Sequence, residues 1–199
     1  MRNLVSLLLL GLALVLGSCN KDRLIEQHSP ASVSALATLA PWKTVTLGTH
    51  GSVADLKAAF DKNGIRVTYY AMHMLAKTLL ATKVETVDLI MVTVDRLGFP
   101  NGATTEEIYA RARKLGLKLC PAEVGPALRL AYPDQPENEW LEIAMEPIAG
   151  PNGHPSAFLV EHNAGGLWLY SSWAGTDGRW YPERKFVFRL RPASSGASK

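Results

Sequence analysis

The chain has 199 residues, 47% hydrophobic and 20% charged, which suits one folded domain and excludes a disordered or collagen-like chain. Its net charge of +3 comes from dispersed basic residues, so the composition does not point to nucleic acid, and none is expected as a partner. The two cysteines, Cys19 and Cys120, allow at most one internal disulfide.

In chain order, Met1-Arg2-Asn3 gives a positive start and residues 4–16 an apolar run. That run is short for a bilayer span and has the anatomy of a signal peptide. The following Leu16-Gly17-Ser18-Cys19 resembles the lipobox of bacterial lipoproteins. The resemblance implies cleavage after residue 18, lipidation of Cys19, and attachment to a membrane of the cell envelope. Several acyl chains on one residue anchor stably where one binds only marginally. Asn20, where an Asp would resemble an inner-membrane retention signal, implies the outer membrane facing the periplasm if the source is Gram-negative. The plainer alternative is a secretory leader with a chance cysteine. Lipidation of Cys19 would leave Cys120 alone, and the fold would then rest on its apolar core. The expected division is a signal peptide at 1–18, a tether at 19–43, a single α+β domain at 44–191 and a flexible tail at 192–199. A small helix around 32–39 is possible in the tether, ended by Pro41.

Residues 43–47 suit a short strand. Ser52 and Asp55 make a near capping box for a helix at 53–63, with Val53, Leu56 and Phe60 on one face and Gly64 at its end. Ala71, Met72, Leu75 and Leu79 have helical spacing, so a second helix is expected at 70–80. The β-branched run centred on 87–94 reads as a strand buried on both faces. After the turn at Pro100-Asn101-Gly102, Thr104 and Glu107 form a capping box for a helix at 105–115, stopped by Gly116. Glu107 and Arg111 are spaced for an ion pair.

Beyond Pro121 the period becomes two. Leu128, Leu130 and Tyr132 alternate with Ala127, Arg129 and Ala131, and after a proline turn Leu141, Ile143 and Met145 alternate with Glu142, Ala144 and Glu146. Phe158 and Val160 begin another strand, Ala164-Gly165-Gly166 closes a hairpin onto 167–172, and Phe186, Phe188 and Leu190 mark the last strand. The expected inner face comprises Leu128, Leu130, Leu141, Ile143, Met145, Phe158, Val160, Phe186 and Phe188. The pattern predicts an α+β fold: N-terminal helices and one buried strand packed on a C-terminal antiparallel meander. Residues 119–126 (Leu-Cys-Pro-Ala-Glu-Val-Gly-Pro) and 140–147 (Trp-Leu-Glu-Ile-Ala-Met-Glu-Pro) also resemble a small bacterial domain family to which no activity is attached. That likeness runs from about residue 46 to 191 and implies one domain, without functional residues.

Four groups of residues are candidates for chemistry. Cys120 is a nucleophile candidate, with His50, His73, His154, His162 or Glu123 as possible assistants, against the simpler reading of a small buried residue at a strand end. No HExxH, CxxC or clustered histidine pair is present, and neither a metal nor a cofactor is expected. Glu142 and Glu146 would lie roughly 13 Å apart on one strand face, beyond the separation used by glycosidases, and a solvated face with Arg129 beside Glu142 is expected. Gly48-Thr49-His50-Gly51-Ser52 lacks a phosphate loop's lysine and is read as helix capping. The aromatic group Trp168, Tyr170, Trp173 and Trp180 is the fourth candidate, because the expected helices are too few to cover both faces of its strand. The leading expectation is a lipid-anchored envelope protein with a binding or structural role, meeting an envelope protein or a glycan through those rings. The alternative is a small envelope hydrolase using Cys120.

Overall fold

A computed structural model describes residues 40–191. The leader, Cys19, the possible helix at 32–39 and the tail at 192–199 lie outside the described residues. Strand β3 (Glu85–Thr93), the apolar run expected to be buried on both faces, lies between two cores. Val87 and Leu89 enter one hydrophobic core, and Ile90 and Val92 enter a second core on the opposite face. Strand β1 (Lys43–Leu47) pairs antiparallel with β3, and Trp42 N–H already donates to the Leu89 carbonyl. Trp42, inside the span assigned to the tether, is thus tied to the sheet.

The described residues form ten strands and four helices. The helices are α1 (Val53–Lys62), α2 (Tyr69–Leu75), α3 (Thr105–Lys114) and α4 (Val124–Ala131). The remaining strands are β2 (Arg66–Val67), β4 (Ala103–Thr104), β5 (Glu139–Ile143), β6 (Ile148–Ala149), β7 (Pro155–Asn163), β8 (Gly166–Trp173), β9 (Arg179–Trp180) and β10 (Lys185–Arg189). Seven strands form one curled, half-barrel sheet in the order β1-β3-β10-β5-β7-β8-β2, with β6 added beside β7 and a separate β4–β9 pair. The sheet is mixed: β10–β5 and β8–β2 are parallel and the other pairs antiparallel.

This corrects the expected α+β arrangement. The N-terminal strands are not separate from a C-terminal meander, because the last strand, β10, inserts between β3 and β5. The result is a mostly sheet structure with four short helices. A second correction concerns 124–131, which is helix α4 rather than the start of the meander. Val124 and Leu128, four apart, are buried on one helical face, and Gly125 lies against Phe158. Because Ala127, Leu130 and Ala131 are also apolar, the segment matches period two and helical spacing equally. A third correction is that α2 stops at Leu75, so Leu79 is exposed rather than on a buried stripe.

The local signals elsewhere match the structure. Ser52 accepts from Asp55 N–H at 3.1 Å, and the Thr104/Glu107 capping box is complete at 3.2 and 2.8 Å. Gly116 closes α3 at φ 84°, where a side chain would be strained. The larger core lies on the first sheet face and collects Leu56, Phe60, Met74, Leu75, Leu128, Leu141, Ile143, Phe158, Val160 and Leu169. The second core, with Ile108, Tyr109 and Ala112 of α3, receives Phe186 and Phe188. These two rings thus lie on the face opposite Ile143 and Phe158, not on one inner face with them. Leu130 is only partly buried.

Candidate functional site

The register of the sheet decides where the aromatic residues go. Phe186 is opposite Glu142, Glu142 opposite Leu159, and Leu159 opposite Tyr170, so these four share the second face. Trp140, Glu161 and Trp168 make the neighbouring row. The second core stops at β10, and no residue of β7 or β8 belongs to it. Trp168 and Tyr170 are therefore half-buried, with ring centroids 5.2 Å apart. Arg66 lies over the Trp168 ring at 5.2 Å, and the indole N–H donates to Asn163 Oδ1 at 3.1 Å.

The expected aromatic group is split. Trp180 packs at the β10 end of the second face against the second core, edge-on to Phe186 at 5.3 Å and bonded through its N–H to Thr105 Oγ1 at 2.9 Å. Trp173 ends β8 and is 43% exposed. The loop after it folds directly onto its ring. A Cβ placed on Gly175 would sit 1.9 Å from Trp173 Cζ2, and one on Gly178 would sit 2.2 Å from Cζ3. Only glycine allows that approach, so a partly exposed indole is nonetheless held in place.

Trp173, Tyr170 and Tyr70 line a pocket of about 330 Å³, within the range of small-ligand sites. Tyr70 comes from the first turn of α2, which Thr68 caps by accepting from Ala71 N–H. Ser171 and Ser172 of β8, with Asn152, His154 and Ser156 from the turn before β7 and its start, supply the polar lining. The pocket sits at an open sheet edge. Strand β2 reaches only Trp168 and Leu169, and from Tyr170 to Trp173 the outer edge of β8 has no strand partner among the described residues.

Beneath this pocket lies a buried charge. Glu142 is 1% exposed, against the expectation of a solvated face. Ser172 donates to its Oε2, and Arg184 donates to its Oε1 through Nε at 2.9 Å and also through Nη2. Burial pushes the Glu142 carboxyl above the ordinary carboxylate range, and Arg184 and Ser172 oppose that rise. Arg184 lies between Trp140 at 4.9 Å and Trp180 at 5.6 Å. A second pocket of about 250 Å³ opens beside Trp140 and Tyr181, but its cations are already engaged, Arg184 with Glu142 and Lys185 with Glu139 at 2.7 Å. Glu146, the other carboxylate considered, is exposed and 3.7 Å from Arg113.

Comparison with protein-family models, curated proteins and solved structures found no match.

The structure places the other candidates apart from this pocket. Cys120 is buried, its Sγ faces the Val187 carbonyl at 3.5 Å, and burial raises its thiol pKa. His154 and His162 stand before β7 and near its end, as expected from the strand between them. His162 Nδ1 contacts the Gln135 carbonyl at 2.6 Å. Arg129 does not meet Glu142. It is fully buried and donates to the Gln135 side chain and to the carbonyls of Tyr132 and Glu161, joining α4 to β7. Burial lowers its pKa to about 10, which still leaves it charged at neutral pH. Glu123 receives Gly48 N–H at 2.8 Å and Ala81 N–H at 2.6 Å, so its carboxylate holds two loops rather than assisting Cys120. Tyr70, Asn152, Ser156 and Ser172 were not legible as site residues, because they come from three remote segments. The one local signal was Thr68, a helix-capping residue that fixes Tyr70.

Proposed function

We propose that this is a lipid-anchored cell-envelope protein whose domain holds a ligand in the pocket of Tyr70, Tyr170 and Trp173. The leader and its Leu16-Gly17-Ser18-Cys19 sequence support the anchor, and Asn20 supports the outer membrane facing the periplasm. The observation that carries the binding reading is Trp173: an indole 43% exposed, yet fixed by a backbone that touches its ring at Gly175 and Gly178. A pre-placed ring loses little freedom on binding, which is how rigid aromatic anchors gain affinity. The hydrolase alternative lacks comparable support. An activated thiol needs accessibility and a lowered pKa, whereas Cys120 is buried with its pKa raised.

Two measurements test the reading. Cys19→Ala should leave an unprocessed or detergent-independent form, and partitioning into detergent equal to wild type would remove the anchor. The Cys19→Ala protein, which lacks the anchor, should still sediment with isolated envelopes through the pocket, and adding Trp173→Ala should abolish that without lowering the urea midpoint. Sedimentation of the Cys19→Ala protein that is indifferent to Trp173 would remove the pocket.

A further inference from the structure

We infer that the pocket of Tyr70, Tyr170 and Trp173 takes a neutral carbohydrate. The inference rests on that pocket being the binding surface and adds the chemistry of its occupant.

Among the described residues the lining contains no Lys, Arg, Asp or Glu side chain. A phosphate or carboxylate would find no lysine or arginine there, only His154 as a basic group, and an ammonium group would find no carboxylate. The polar atoms also have fixed roles. Ser172 spends its O–H on the Glu142 carboxylate, and Ser156 spends its own on the His154 carbonyl at 3.3 Å. Both oxygens therefore offer the pocket lone pairs, as acceptors. Asn152 Oδ1 is occupied by His154 N–H at 3.2 Å, which leaves the amide NH₂ as a donor. Thr68 Oγ1 accepts from Ala71 N–H at 3.3 Å, leaving its O–H to donate. The pocket thus offers both acceptors and donors beside its aromatic rings. A sugar matches that arrangement, because each hydroxyl both donates and accepts while the C–H face of the ring lies flat on an indole or phenol.

A peptide added as a strand to the open edge of β8 is the competing occupant. The free edge runs only from Tyr170 to Trp173, and main-chain groups point outward from alternate residues. That is too short a ladder to hold a peptide by backbone bonds. The volume of about 330 Å³ is near the small end of ligand pockets, so the site fits one end or a short stretch of a sugar chain.

The test uses the full chain in detergent, titrated with the tetramers of N-acetylglucosamine and of glucose and followed by tryptophan fluorescence. At least one tetramer should bind saturably, with a dissociation constant insensitive to salt. Trp173→Ala should weaken it roughly ten-fold or more, the scale of a lost ring contact. Tyr70→Ala, which removes a partly exposed ring from the other wall, should weaken it as well and serves if Trp173→Ala unfolds. Failure of both tetramers to bind overturns the inference, as does binding that both substitutions leave intact. If neither sugar binds while envelope sedimentation still depends on Trp173, the pocket stands and only the carbohydrate assignment falls. A neutral peptide binding in place of the sugars, with the same dependence on Trp173, has that same consequence.

Discussion

Replacing Arg184 with Ala isolates the buried carboxylate under the pocket. Glu142 has a 2% exposed side chain, and Arg184, 24% exposed, is the cation bonded to it. Removing one partner of a buried pair leaves an uncompensated charge, at a cost of about 3–5 kcal/mol. The partial exposure of Arg184 places this case near the lower end, about 3 kcal/mol at neutral pH. The loss must also depend on pH. Burial raises the Glu142 carboxyl and Arg184 opposes the rise, so the variant's carboxyl goes higher still. A carboxyl raised on folding contributes stability that is complete below its unfolded pKa, about 4.3, and is lost as pH rises through its folded pKa. The difference between wild type and variant is therefore smallest in acid, where both folded forms are protonated, and grows towards neutral pH. Loss of the Trp140 and Trp180 contacts, about 0.5–1 kcal/mol, persists at every pH. Urea unfolding of both proteins from acid to neutral pH measures this directly. A penalty that is constant across the range, or larger in acid, would refute the reasoning.

Three further outcomes follow from the packing. Ile143→Ala should cost about 2–5 kcal/mol in urea unfolding, because the side chain is fully buried in the larger core; a loss under about 0.5 kcal/mol would place it at the surface. Gly125→Ala should destabilise by about 1–3 kcal/mol through overpacking, since the new Cβ would fall 2.7 Å from Phe158; helix propensity alone predicts the opposite sign, so a gain in stability would show that α4 does not press on β7. Native Cys120 should resist a mild alkylating agent and react after denaturation, and rapid native labelling would contradict its burial.

What the sequence revealed was mainly local. The helix cap at Ser52, the capping box at Thr104, the β7–β8 hairpin and the double burial of β3 each depend on neighbours in the chain or on one long apolar run. Helix α4 was missed because an almost wholly apolar octapeptide carries two periods at once. Pro126 was the usable signal: a proline is tolerated in the first turn of a helix, where its missing N–H is not needed. The burial of Glu142 was hidden for a different reason. Alternation correctly put it opposite Leu141 and Ile143, but whether that second face meets water depends on β10 entering the sheet alongside β5. The pocket was half legible. Tyr170 and Trp173 stood in the aromatic group, whereas the split from Trp180 and the joining of Tyr70 and Asn152 depend on long-range pairing.

Trp173 and Trp140 offer a matched pair for the central claim, because they are 43% and 44% exposed and only Trp173 lines the proposed binding pocket. Oxidative footprinting of the full chain, alone in detergent and then in its own envelope, reads both indoles in one experiment. The account predicts that Trp173 is protected in the envelope while Trp140 keeps its reactivity. Equal oxidation of Trp173 in the two settings would contradict it.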